Sequence, residues 1–274
     1  MRKALLTLLA AVLTGFSAFC QEAEPDPDRY AGLDSLLTQF YGALLTEDIE
    51  AKNAELDGLI GSCRDSLTRQ HVTMQIFDHY QFSRVMGEEA VAVHIYDEWI
   101  ATGKVKPRND SEEVVASVFA NFNRSSLLGM QAVPVTLFKP CGGKMTIPRP
   151  GKPSVIFFYS TECAKCRLEV QVLPQVMKEV DFPMDFYAVC IDSDKRLWKD
   201  FRKENFKFDN PRVKTFHLWD PESESGFEKA YGVTATPRMF VVWADGIILG
   251  RRLEVVNLQE IIHYISIGYG EETK

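Results

Sequence analysis

No stretch of this sequence is Gly/Ser-rich or repetitive, which excludes a disordered half and a repeat array. Positive charge is also in short supply. The 31 Lys and Arg face 38 Asp and Glu for a net charge of -7, which argues against nucleic acid or an anionic lipid surface as partner, since both reward a concentrated positive face. Beyond the N-terminal segment no run is apolar enough to cross a bilayer. There is no second Cys-x-x-Cys, and His71, His79 and His94 lie too far apart in sequence to form a tight ligand pair, so a metal site in this region is not expected. Cysteines number six, and with Cys20 set aside the rest form an odd set, which favours a working dithiol plus spare thiols over a stapled framework.

The composition itself is globular, 46% hydrophobic and 25% charged over 274 residues, with room for two cores. Arg2 and Lys3 precede an apolar run from Ala4 to Phe19, and the chain then turns polar at Gln21-Glu22-Ala23-Glu24-Pro25-Asp26. This is the layout of a signal peptide over residues 1–20, followed by a linker over 21–33. The run of about 16 residues is shorter than the ~20 that span a bilayer, so cleavage is expected rather than anchorage, with a buried N-terminal helix as the alternative. Cys20 stands where a bacterial lipoprotein carries its lipid anchor, although Phe19 is bulkier than that site prefers, and ordinary cleavage near Cys20 fits equally. Either way the chain is expected in the periplasm or cell envelope.

Residues 34–128 read as a small all-α domain. Val72, Ile76, Phe77 and Tyr80 share one helical face, and Val91, Ile95 and Trp99 make a second stripe. Asp110 is the expected N-cap of a further helix, with Glu113 three residues on and Val114, Val115, Val118, Phe119 and Phe122 as its packing stripe. The boundary is expected near Leu128, where the texture changes. Ala132 to Phe138 alternates, Pro140-Cys141-Gly142-Gly143 supplies a turn into Met145 to Ile147, and Pro148, Pro150 and Pro153 exclude helix.

Over 129–274 the pattern predicts alternating elements. Strands are expected over 154–159, 184–191, 215–219, 238–243 and 247–251, and helices over 163–180, 195–205, 226–231 and 258–267. A β-α-β half followed by a β-β-α half gives an α/β fold, a central mixed sheet flanked by helices.

Cys163-Ala164-Lys165-Cys166 comes directly after an apolar strand and opens a helix. A thiol in a first helical turn faces unpaired N–H groups and the positive end of the helix dipole, which favour thiolate. Cys166, one turn on, is close enough to bond to it and less exposed. Cys163 is therefore the expected attacking sulfur and Cys166 the resolving one. Two competing readings remain open: half of a zinc site, and copper delivery with His217 as third ligand.

The run Phe157-Phe158-Tyr159-Ser160-Thr161-Glu162-Cys163-Ala164-Lys165-Cys166-Arg167-Leu168-Glu169, with Pro134 and Cys141-Gly142-Gly143 before it and Tyr231-Gly232-Val233-Thr234-Ala235-Thr236-Pro237 after it, resembles the thioredoxin superfamily. Within it, the resemblance is to the exported TlpA and ResA-like branch, and it covers roughly residues 130–270. It implies a thioredoxin-like fold, a cis bond between Thr236 and Pro237 beside the dithiol, and a substrate-facing role for both residues. It also implies that Glu169 moves protons for the dithiol, since Phe157 replaces the buried Asp of general thioredoxins. No cofactor or metal is implied. The expected partners are protein disulfide or dithiol substrates and a membrane or periplasmic electron donor.

Two departures bear on the chemistry: Glu162 replaces the Trp usual before the first cysteine, and Tyr159 stands where another aromatic, often Trp, is expected. Glu162 disfavours the Cys163 thiolate while Lys165 favours it, which leaves the direction of electron flow open, with reductase implied by the resemblance. Cys190 reads as an inert core thiol, and a Cys63–Cys141 pairing is left open. Residues 34–128 resemble a helical domain of unknown function that precedes such folds, chiefly through Val85-Met86-Gly87-Glu88-Glu89-Ala90-Val91. The rival to an enzyme is a partner-binding envelope protein with a non-catalytic thioredoxin fold.

Overall fold

Short polar side chains punctuate the first part of the chain and define its helices. The computed structural model describes residues 29–272, so the expected signal peptide, Cys20 and most of the linker lie outside the described residues. The chain divides into two compact units, one ending at Ala120 and the other beginning at Asn121.

The first unit contains α1 (Ala31–Leu44), α2 (Ile49–Ser62), α3 (Ser66–Gln81) and α4 (Glu89–Ile95), the last running on into a π-helical turn over Tyr96–Ile100. Asp48 caps α2 by accepting the amide of Ala51 at 2.7 Å, and Asp65 caps α3 by accepting that of Thr68 at 2.8 Å. Val72, Ile76, Phe77 and Tyr80 are all buried, as are Val91 and Ile95. Trp99, half-buried, donates its indole N–H to Asp57 at 2.6 Å. One ion pair is sunk into this unit, Lys52 Nζ to Glu88 Oε1 at 2.5 Å, with Glu88 Oε2 also accepting from Ser83.

Helix α5 (Asp110–Asn123) differs from the sequence expectation in two ways. Its cap is Asn109, whose Oδ1 accepts the amide of Glu112 at 3.0 Å, while the Glu112 carboxylate reaches back to the amide of Arg108 at 2.9 Å. Asn109, Asp110 and Ser111 are all capping types, so spacing alone selects none of them. Its buried face is also not the valine stripe. Val114, Val115 and Val118 are 60%, 51% and 47% exposed, whereas Ala116 and Ala120 are fully buried. Of the expected stripe Phe119 does turn inward, edge-on to Phe77, with the fully buried Ala116 and Ala120 beside it on the inward face.

The second unit opens with the end of α5 and a 3-10 turn over Arg124–Ser126. Its beginning, several residues ahead of the expected Leu128, has a packing reason: the buried Arg251 guanidinium donates to Asn123 at 2.8 Å and to Ser126 at 3.4 Å. Then come β1 (Val135–Phe138), β2 (Lys144–Ile147), β3 (Ser154–Tyr159), α6 (Ala164–Lys178), β4 (Met184–Cys190), α7 (Lys195–Glu204), β5 (Val213–Trp219), α8 (Phe227–Tyr231), β6 (Arg238–Val242), β7 (Ile248–Arg251) and α9 (Val255–Glu272). The sheet order is β2-β1-β5-β4-β3-β6-β7. β4 is parallel to β3 and to β5, while β6 runs antiparallel to β3 and β7 antiparallel to β6.

β3 is apolar throughout because both of its faces are covered, and all of its residues are buried. Val155, Phe157 and Tyr159 face a core shared with α6 and α9 through Leu173, Met177, Leu258 and Ile262. Ile156 and Phe158 face the other way, toward Phe227 and Tyr231 of α8. Since β3 is interior to the sheet and covered on both faces, the segment leaving Tyr159 emerges at a fixed place on the C-terminal edge of the parallel strands.

Candidate active site

Past Tyr159 the chain makes a tight turn. Glu162 N donates to Ser160 Oγ at 3.2 Å and Cys163 N to Ser160 O at 3.3 Å, and the chain enters α6 with Cys163 as its N-cap. The Cys163 sulfur accepts the amide N–H of Cys166 at 3.1 Å, as a capping oxygen would. On its other side the sulfur lies 3.4 Å from the carbonyl oxygen of Thr236, and the Thr236–Pro237 bond is cis, as the resemblance implies. The Ile147–Pro148 bond is also cis, with nothing in the sequence to announce it. Cys163 is partly exposed and Cys166 fully buried. Four residues singled out from sequence, Cys163, Cys166, Thr236 and Pro237, are thus brought together.

The two sulfurs differ in acidity. Burial opposes ionisation of Cys163, but the Cys166 thiol and the amides of Cys166 and Lys165 outweigh it and hold its pKa below the ordinary thiol value. Burial pushes the Cys166 thiol up to about 12, with its bond to Cys163 acting in the same direction. Neither the Glu162 nor the Lys165 charge is among the causes of the Cys163 shift. Lys165 Nζ is drawn 2.5 Å from Glu254 Oε1, so this residue acts on Cys163 through its backbone N–H.

Beside the loop that carries Thr236 runs a groove of about 700 Å³, walled by Phe122, Ile191, Phe227, Val233 and Ala235. Residues 144–256 match the family model for a thioredoxin-like domain. The second unit has a thioredoxin-like fold. Among solved structures, a thioredoxin-like protein from Bacteroides caccae aligns over 94% of this chain and 93% of its own, with a TM-score of 0.66 at 11% identity, a likeness of fold. The thioredoxin domain of a thiol-disulfide oxidoreductase from Bacteroides vulgatus aligns with 50% of this chain and 96% of its own at 18% identity and a TM-score of 0.43. A thiol:disulfide interchange protein from a Bacteroides species aligns with 51% of this chain and 90% of its own at 20% identity and a TM-score of 0.43. No curated protein matches the sequence.

Glu169 lies one turn beyond Cys166 on α6, and its carboxylate accepts the amide of Val255 at 2.7 Å, at the start of α9. His217 stands on β5 in register with Ala188 of β4, which in turn pairs with Phe157 of β3. Its ring packs near Phe206, and burial lowers its pKa to about 4, with the Arg202 charge adding to the effect. Among the described residues no group of His, Cys, Asp and Glu is placed to hold a metal ion. In the helical unit His71 and His94 are bonded to Asp34 and Asp57, and His79 stacks on Tyr41. Cys190 is buried, and its thiol is pushed up to about 12 by that burial. Cys63 is a buried free thiol and Cys141 an exposed one.

Thr161 and Asp192 join the site without having been expected from sequence. The Thr161 amide and hydroxyl donate to Asp192 Oδ2 at 2.5 and 2.6 Å, and the Thr161 carbonyl accepts from Arg167 Nε at 2.8 Å. The only sequence signal is an acid just past a strand, in Ile191-Asp192-Ser193-Asp194. The strand pairing that makes it meaningful is not written in the local sequence.

Proposed function

We propose that the chain is an exported thiol-disulfide oxidoreductase of the cell envelope that exchanges electrons with protein substrates through Cys163 and Cys166, running as a reductase. The observation that carries this reading is the asymmetry of the pair: an acidified, accessible sulfur capping a helix, one turn above a buried sulfur whose thiol is pushed up to about 12.

In the forward step the Cys163 thiolate attacks one sulfur of a substrate disulfide. A Cys163–substrate bond forms, and the departing substrate sulfur leaves as a thiolate that takes a proton from water. Cys166 then loses its proton and attacks the Cys163 sulfur. The second substrate sulfur leaves, and the protein keeps a Cys163–Cys166 disulfide. One substrate disulfide is reduced by two electrons and the dithiol is oxidised by two, so an external dithiol donor must restore it.

Glu169 is the carboxylate proposed to take the Cys166 proton, its orientation fixed by Val255. Thr236 presents the backbone against which an incoming polypeptide lies, and the apolar groove continues from it. The reductase direction comes from the resemblance to the TlpA and ResA-like branch, since the lowered pKa of Cys163 stabilises the reduced dithiol and does not itself favour that direction.

The test is turnover of insulin disulfides with dithiothreitol as electron source. The wild type is expected to accelerate the reaction, Cys163→Ser to abolish the acceleration, and Cys166→Ala to stall as a mixed disulfide visible by intact mass. Trapping the partner through Cys163→Ala and Cys166 instead would overturn the assignment of roles.

A further inference from the structure

The parallel ladder between β3 and β4 ends at Tyr159 opposite Cys190, and the amide of Ile191 carries it one step further by donating to Tyr159 O at 3.1 Å. Two residues beyond each end stand Thr161 and Asp192. One side-chain oxygen, Asp192 Oδ2, receives the Thr161 amide at 2.5 Å, the Thr161 hydroxyl at 2.6 Å and the buried Cys190 thiol at 3.7 Å. Asp192 is itself held. Its carbonyl accepts the Trp219 indole N–H at 2.6 Å, and Trp219 stacks on the buried Trp198 at 5.2 Å between ring centres.

Thr161 is therefore gripped on one side by Asp192 and on the other by Arg167, which comes from the first turn of α6. Between Thr161 and the start of α6 lie only Glu162 and Cys163. We infer that Asp192 is a positioning residue for the attacking sulfur: by fixing Thr161 it sets where Cys163 stands against the amides that open α6. This role rests on the oxidoreductase reading given above and adds to it a residue that touches neither sulfur.

Two physical effects of the carboxylate have opposite signs, and the difference makes the inference testable. As a nearby negative charge, Asp192 would disfavour the Cys163 thiolate, so removing it would make the thiol more acidic. As a positioning group, it keeps Cys163 against donors that stabilise thiolate, so removing it makes the thiol less acidic. All three donors converge on one oxygen, so the amide oxygen of Asn can replace it without the charge.

The experiment follows the rate of Cys163 alkylation by iodoacetamide against pH in the full chain, in a Cys63→Ala/Cys141→Ser background, with thermal melts to establish folding. Asp192→Ala is expected to raise the midpoint by about half a pH unit or more, a roughly threefold slower reaction at neutral pH. Asp192→Asn is expected to recover most of the wild-type profile. Thr161→Val, which keeps the amide but loses the hydroxyl, is expected to fall between them. A folded Asp192→Ala with an unchanged or lower midpoint overturns the inference, as does an Asn variant that behaves like Ala. If Asp192→Ala does not fold, the Thr161→Val profile decides: a wild-type midpoint there overturns the inference. Alkylation does not require turnover, so a protein that reduces no insulin but shows these shifts loses the oxidoreductase reading and keeps this one.

Discussion

Cys163 and Cys166 lie three positions apart and yet are chemically unlike, because one faces the open end of a helix and the other the core. The difference predicts a two-step alkylation curve for the reduced protein. Cys163 is expected to react with a midpoint below that of an ordinary thiol, and Cys166 only as pH approaches about 12. Mass mapping of the modified cysteines across pH checks this, and simultaneous modification of both would contradict it.

His217 gives a second prediction at the same scale, on the acid side. Between pH 6.5 and about 4 the unfolded chain binds a proton that the folded chain refuses. Stability therefore rises with pH across that window and is lost as pH falls through it. His217→Leu is expected to flatten this acid limb in urea midpoints measured from pH 4 to 7. An unchanged limb would place the proton on another group.

At the scale of elements, the clearest constraints are where segments approach closely. Gly232 ends α8 with φ +63°, and a Cβ there would stand 2.4 Å from the carbonyl oxygen of Phe122, the residue that also walls the groove beside Thr236. The left-handed backbone alone costs a non-glycine residue roughly 1–2 kcal/mol, and displacing a carbonyl adds to it. Gly232→Ala is expected to lower the urea midpoint by more than that backbone cost requires. A loss no larger than that backbone cost would show that the Phe122 carbonyl can yield freely.

The Lys52–Glu88 pair constrains the helical unit in another way, because both side chains are almost wholly buried. Lys52→Met strands the Glu88 carboxylate and is expected to cost about 3–5 kcal/mol, whereas Lys52→Met/Glu88→Leu is expected to recover most of that loss. Equal losses in the single and double variants would mean that packing rather than charge is at stake. In the sequence, the segment around Glu88 stands out only as a resemblance without chemistry. Its tie to Lys52 is a contact between residues far apart in the chain, which no local pattern announces.

For the whole molecule, export is the part of the proposal carried by residues outside the described ones. Its test is the N-terminus of protein recovered from an envelope fraction. The mature chain is expected to begin at or close to Cys20, with added acyl mass if Cys20 is the lipid anchor, and recovery of the intact chain from Met1 would refute export.

The order of elements and the place of the dithiol were legible in the sequence because both depend on short-range chemistry. β3 reads as Ser154 to Tyr159 because every residue there is buried, and Cys163 is a helix cap because of what immediately surrounds it. Tertiary structure alone decided which face of α5 turns inward, which carboxylate pairs with Lys165, and which carboxylate holds the loop of Cys163. Helical spacing admits several faces, and only the packed neighbours distinguish valines from alanines. Lys165 meets Glu254, and Thr161 meets Asp192, across separations that the chain closes only on folding. Short-range patterns fix an element; pairing between elements fixes the electrostatics of the site built at its end.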